Sequence, residues 1–265
     1  MTGARMDLDR SYETCRRMHR RHDPTYYWAT RRLPADIRPA SAEARRAALD
    51  AWERELETGR AAGRSPHPVV GALVDAARRH RLPLEELRPY MRSMRIDCAP
   101  VRIETWPELE AYMDGSAGSV GRIMAPLLGV PERHHAGYGR LGQAFQLTNC
   151  IRDLREDTSL DRVYLPAEDR ARFGVGEEAL GRAHASPELC ALLALEVRRA
   201  RSLFAEAEPA IAAAPGSVRT GVRLAVAVYL RVLDRVERID FDVLGRRTGV
   251  RPWQVPGAAL GALRR

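Results

Sequence analysis

The sequence predicts an all-α protein, one domain of packed helices around a central cavity. Three observations lead there. Apolar residues recur at three- and four-residue spacing over long segments, alternating strand patterns are lacking, and helix start and stop signals fall where those segments begin and end. A chain of 265 residues can bury a full core. No linker, solenoid-period repeat or low-complexity tract divides it, so residues 1–265 read as one domain of about eight to ten helices.

Each element has its own signal. A helix over 41–58 starts at Ser41 and stops at Gly59; the next runs over 68–80, up to Leu82-Pro83. A third covers 84–97 and ends before Pro100. Thr105-Trp-Pro-Glu108 is a capping box with proline in the first turn, opening a helix over 105–128 that stops before Gly129. A long helix follows over 131–157, and 167–184 reads as loop plus a short helix. Ser186-Pro-Glu188 opens a helix to about 213, and Ser217 opens a last one ending near 245.

Composition removes several function classes. All 43 basic residues are arginine, so Schiff-base chemistry and a Walker-type phosphate loop, both of which need lysine, are excluded. The net charge of +8 suits a polyanionic substrate or a membrane surface. The arginines are spread along every helix instead of gathered on one aromatic-bearing stripe, which argues against nucleic acid. Cys15, Cys98, Cys150 and Cys190 lie far apart without a Cys-x-x-Cys pair and read as reduced thiols in a cytoplasmic protein. His134-His135 reads as a solvated turn, not a metal site. No signal-like N-terminal run is seen, and the most apolar helix, 221–236, carries Arg223, Arg231, Asp234 and Arg235.

Gly137-x-Gly139-x-x-Gly142 spells a dinucleotide fingerprint but lacks the preceding strand that gives the motif its mechanism. Close helix packing is the better use of these glycines. Gly115, Gly118 and Gly121 recur at every third position and leave a groove for another helix or for an apolar chain.

The stretch with the most chemistry is Gln146-x-x-Asn149-x-x-Arg152-Asp153-x-x-Glu156-Asp157, followed by Arg162-Val-Tyr164-Leu-Pro166. On a helix Gln146, Asn149, Asp153 and Asp157 stack on one face over roughly 15 Å. Neutral oxygens beside carboxylates suit a hydrated hard cation that holds phosphate oxygens.

With those flanks, the stretch resembles the second aspartate-rich motif of the squalene and phytoene synthases, which join two isoprenoid diphosphates head to head. Tyr112-x-x-x-Ser116-Ala-Gly118-x-Val120-Gly121 is similar to that family's Tyr-x-x-x-x-Ala-Gly-x-Val-Gly helix. Residues 12–34, with His22, Thr25 and Tyr26, resemble its N-terminal signature, and 229–247 its closing helix. The resemblance implies an isoprenoid-synthase-type bundle. Asp153, Asp157 and Asn149 would bind magnesium, or manganese in its place, and Gln146 would complete the shell or hold substrate. Arg152 and Arg162 would face the diphosphate, with salt bridges to Glu156 or Asp161 as the rival account. Tyr112 and Tyr229 would stand near the reacting carbons, where ring faces stabilise positive charge, or would simply pack in the core. His22, Thr25 and Tyr26 would supply wall and diphosphate contacts; Val120, Gly121 and Met124 would line the tunnel. The arginine-rich N-terminal signature is more like bacterial phytoene synthases, which condense two C20 diphosphates through a cyclopropylcarbinyl diphosphate and end by losing a proton. No NADPH site is evident. An apolar product implies peripheral contact with the inner face of a membrane.

One departure from the family stands out. Leu33-Pro-x-x-x-Arg38-Pro39 should lead into a helix with the first Asp-x-x-x-Asp motif, but Pro39 is followed directly by what resembles the segment after that helix. Asp50, Glu53 and Glu57 share a helical face there, yet the alternating arginines and glutamates around them read as an ordinary exposed helix. Two readings follow: a prenyltransferase of phytoene or squalene synthase type, and a homologue that binds isoprenoid or a partner without catalysis.

Overall fold

Ser41 caps the first helix of the computed structural model, which describes residues 41–246 and Thr248. Its hydroxyl accepts from the Ala44 amide at 3.1 Å and opens α1 (Ala42–Ala62), which buries Leu49, Leu56 and Gly59. The expected stop at Gly59 is a correction. The helix continues to a left-handed cap at Gly63, and Gly59 is small because Val70 and Ser65 press against it. Next, α2 (Pro68–His80) holds its predicted bounds, and a 3-10 turn at Leu84–Glu86 leads into α3 (Leu87–Ile96).

Thr105 caps α4 (Trp106–Met113) by accepting from the Glu108 amide, while the Glu108 carboxylate takes the Glu104 amide at 2.8 Å. The helix expected to reach 128 is not continuous. It widens into a π turn at Asp114–Gly118 before resuming as α5 (Ser119–Leu127). The long helix expected over 131–157 is likewise divided into a 3-10 turn at Glu132–His134, α6 (His135–Arg152) and α7 (Leu154–Ser159). Asp153 sits at that second break with φ −100° and ψ 14°. Here α8 (Ala167–Phe173) and a 3-10 turn at Glu177–Gly181 precede α9 (Pro187–Ala212) and α10 (Gly216–Arg238). The last helix ends earlier than the expected 245, because Asp240 and Phe241 take positive φ and turn the chain back.

One small element is added to the helices, and one more expectation changes. Strands β1 (Val101–Arg102) and β2 (Arg162–Val163) pair in parallel, and at two residues each they are too short to show alternation. His134 and His135 are half-buried instead of solvated, and the His135 ring meets the Val130 carbonyl at 2.9 Å.

At the centre lies α6, packed by α5, α9, α10 and the π turn. Its glycines let those neighbours in: an added Cβ would stand 2.4 Å from Ala210 at Gly137 and 2.2 Å from the Ala117 carbonyl at Gly142. Leu147 and Ile151 on α6 and Leu189 and Leu193 on α9 are fully buried in the main core. Among the described residues no helix is long and apolar enough to cross a membrane.

Candidate active site

Helix positions three and four apart bring Tyr138, Leu141, Gly142, Phe145, Gln146 and Asn149 to one face of α6, and that face is one wall of a cavity of about 370 Å³. Opposite stand Ser116 and Ala117 of the π turn with Val120, Gly121 and Met124 of α5. Val222 and Ala225 of α10 close a third side. The lining is predominantly apolar. Three residues of the lining, Asn149, Ser116 and Tyr138, carry a polar atom, Oδ1, Oγ and Oη respectively, that is buried without a hydrogen-bond partner.

Asn149 marks the polar end. Beyond it, Asp153 and Asp157 keep the ladder despite the break in the helix, because the Asp153 amide still donates to Asn149 O and the Asp157 amide to Asp153 O, both at 2.8 Å. Asp153 is about one third exposed and is gripped on both oxygens by Arg152, at 2.7 and 2.5 Å. Arg152 also neighbours Tyr229, whose ring stands 4.3 Å from Phe145 on the cavity wall. Asp157 is half-buried, and burial, reinforced by the Asp153 charge, pushes its carboxyl up to about 6 against the pull of Arg162. Arg162 donates to the Asp97 carbonyl at 3.3 Å. Asp161, named as its rival partner, is held by Arg102 at 2.6 Å instead.

Tyr112 is not on the cavity lining. It is 3% exposed, stacked on Tyr164 with centroids 5.0 Å apart, and its hydroxyl donates to the Asp97 carboxylate at 3.0 Å. Burial pushes the Tyr112 hydroxyl well above its ordinary value, with the Asp97 charge adding to the effect. Asp97 and this pairing had no signal in the sequence beyond a carboxylate before a helix end; Tyr164 was visible in the Arg-x-Tyr-Leu-Pro run without a role. His22, Thr25 and Tyr26 lie outside the described residues.

Among the described residues the acids of α1 form no second carboxylate ladder. Asp50 takes Arg95 at 2.6 Å, Glu53 takes the same arginine, and Glu57 pairs with Arg60 and Arg88 at 2.8 and 2.9 Å. These acids join α1 to α3. Among the described residues no cluster of three or more His, Cys, Asp or Glu side chains could hold a metal ion. The oxygen donors that remain, a buried amide oxygen and two carboxylates, are of the kind that suit magnesium.

The sequence profile of squalene/phytoene synthase matches residues 39–254. A phytoene synthase from Arthrospira platensis is 31% identical over 277 positions, taking in 92% of this chain and 89% of its own length. Those positions outnumber the residues this chain contributes, so the relative carries residues with no counterpart here. A phytoene synthase from Thermus thermophilus is 35% identical over 222 residues, 81% of this chain and 75% of its own. The solved structure of squalene synthase HpnC from Alicyclobacillus acidocaldarius superposes with a TM-score of 0.76 at 27% identity, covering 89% of this chain and 97% of that one.

Proposed function

The chain belongs to the squalene/phytoene synthase family, and from that premise we propose that it condenses two molecules of a C20 isoprenoid diphosphate head to head with magnesium. The observation that carries this reading is the unpartnered Asn149 Oδ1 at the polar end of an apolar cavity, with Asp153 and Asp157 following on the same ladder. A buried amide oxygen left unpaired costs about 1–3 kcal/mol. A ligand with charge to share would recover that.

In this reading Asn149, Asp153 and Asp157 hold magnesium, which when bound would offset diphosphate charge and favour its departure. Arg152 leaves Asp153 to meet the diphosphate, and Arg162 approaches from β2. Gln146 faces the substrate head from the cavity wall. Val120, Gly121 and Met124 hold the prenyl chain and exclude water from the cation. Tyr229, next to both Arg152 and Phe145, turns a ring face to the reacting carbons. Tyr112 acts from behind the wall, through its bond to Asp97. An apolar product would leave by peripheral contact with a membrane.

A second reading has one observation in its favour. The carboxylates of α1 are neutralised by arginines, so among the described residues charge on two diphosphates would have to be offset from a single ladder. A homologue that binds isoprenoid diphosphate without turnover would have this site. Incubation of the purified chain with magnesium and the C15 or C20 diphosphate, with extraction and mass analysis, separates the two. Phytoene from the C20 substrate supports the first; tight binding without product supports the second.

A further inference from the structure

Several serine and threonine hydroxyls inside the helices of this molecule satisfy themselves on the carbonyl four residues back, and Ser93 and Ser202 find other oxygens. Ser119 donates to Gly115 O at 2.6 Å, Thr148 to Ala144 O at 2.8 Å and Thr158 to Leu154 O at 2.7 Å. Ser116 does not. Its counterpart carbonyl, on Tyr112, accepts from the Ser93 hydroxyl at 3.0 Å, and Ser116 lies in the π turn, where the four-residue ladder is interrupted.

The turn is fixed from both sides. Gly115 has no space for a side chain, since an added Cβ would stand 2.2 Å from Ser93 Oγ and 2.5 Å from the Pro89 carbonyl. Asp114 is gripped by Arg122 at 2.7 and 3.0 Å and by Gln143 at 3.1 Å. Ser116 Oγ is thereby held, buried and unpartnered, in a residue that lines the cavity. Gly142 of α6 abuts the Ala117 carbonyl, which sets Ser116 about two helical turns inside Asn149. The position is past the ladder and within the apolar part.

We propose that Ser116 is a catalytic residue whose hydroxyl oxygen turns a lone pair toward the positive charge that develops on the isoprenoid in this cavity. The inference rests on the prenyl-coupling reading for its substrate class. A neutral hydrocarbon gains nothing from an oxygen dipole, whereas a cation between Ala117, Val120 and Met124 meets aliphatic walls on that side, and a fixed dipole acts strongly where water is excluded. No proton moves and no bond forms at Ser116.

The test compares two unreactive compounds, a quaternary-ammonium isostere of the C20 head and its all-carbon counterpart, by calorimetry on the full chain. The wild type should bind the ammonium compound on the order of tenfold more tightly than the carbon one, the size of a bond to a charged group. Ser116→Ala should lose most of that preference while holding the carbon compound within about twofold, and Ser116→Thr, which keeps the hydroxyl, should retain it. In turnover, Ser116→Ala should lower kcat about tenfold and leave KM in place. Equal weakening of both compounds, or no charge preference in the wild type, overturns the proposal. A serine-dependent preference in a chain that makes no product refutes coupling and leaves the cation site standing; turnover untouched by Ser116→Ala refutes the serine alone.

Discussion

The Tyr164 hydroxyl donates to Asp97 Oδ1 at 2.8 Å, across the space between β2 and the end of α3. The Tyr112 hydroxyl reaches the same carboxylate and lies 3.2 Å from Tyr164 Oη, so one acid holds two stacked phenols. Burial raises the Asp97 carboxyl, and the two phenol bonds and the Arg162 charge oppose that rise. Asp97→Ala would leave the two phenols with only each other and one buried O–H without an acceptor, with an expected loss of about 1–3 kcal/mol in urea unfolding. Asp97→Asn keeps one acceptor oxygen and should lose clearly less. Equal losses in the two variants would show that the carboxylate matters only by its volume.

Asp153→Ala should abolish magnesium-dependent turnover of the C20 diphosphate while far-ultraviolet circular dichroism stays at the wild-type level. The fold survives because Asp153 is part-exposed and its partner Arg152 retains Tyr229. Unchanged turnover would remove the metal assignment. Asp153→Asn keeps the neutral oxygen and loses the charge, so residual activity there would separate coordination from charge.

How much of this was legible in the sequence depended on how local each signal was. The caps at Ser41, Thr105 and Ser186 and the ladder from Gln146 to Asp157 are matters of spacing within one helix, and they were readable. The break at Asp153 and the π turn at Asp114–Gly118 were not, because both depend on what packs alongside and not on residue types spaced along one helix. Asp97 was invisible for the same reason. Its meaning comes from Tyr112 and Tyr164, which lie 15 and 67 residues away in the chain. Gly59 misled the reading: the residue type signals a helix end, but here it answers to Val70 on the next helix.

Gly121 offers a direct check on the spacing of α5 and α6. An added Cβ would stand 2.0 Å from the Tyr138 carbonyl, which is backbone and cannot swing aside. Gly121→Ala should therefore destabilise the fold by about 1–3 kcal/mol although alanine favours helix by about 1 kcal/mol. Chemical denaturation reads the loss directly. A more stable variant would mean that the two helices are not in contact there.

Glu196 contributes a pH dependence to the fold. It is fully buried on α9; Oε1 takes Arg199 at 2.7 Å, and Oε2 has no partner. Burial pushes its carboxyl up to about 7, Arg199 opposing and Asp169 adding to the rise. The sign follows from where each state releases its proton. Unfolded, the group ionises near 4.5; folded, it keeps its proton to about 7, so the stabilisation is complete below 4.5 and is lost as pH rises through 7. The loss by pH 8 is on the order of 3 kcal/mol. Glu196→Gln holds the neutral form at every pH and can still accept from Arg199. It should match the wild type in urea unfolding at pH 4.5, gain on it between 4.5 and 7, and keep a constant lead above about 8. A lead that is the same at pH 4.5 and pH 8 would mean that Arg199 holds Glu196 ionised throughout, over the opposing charge of Asp169.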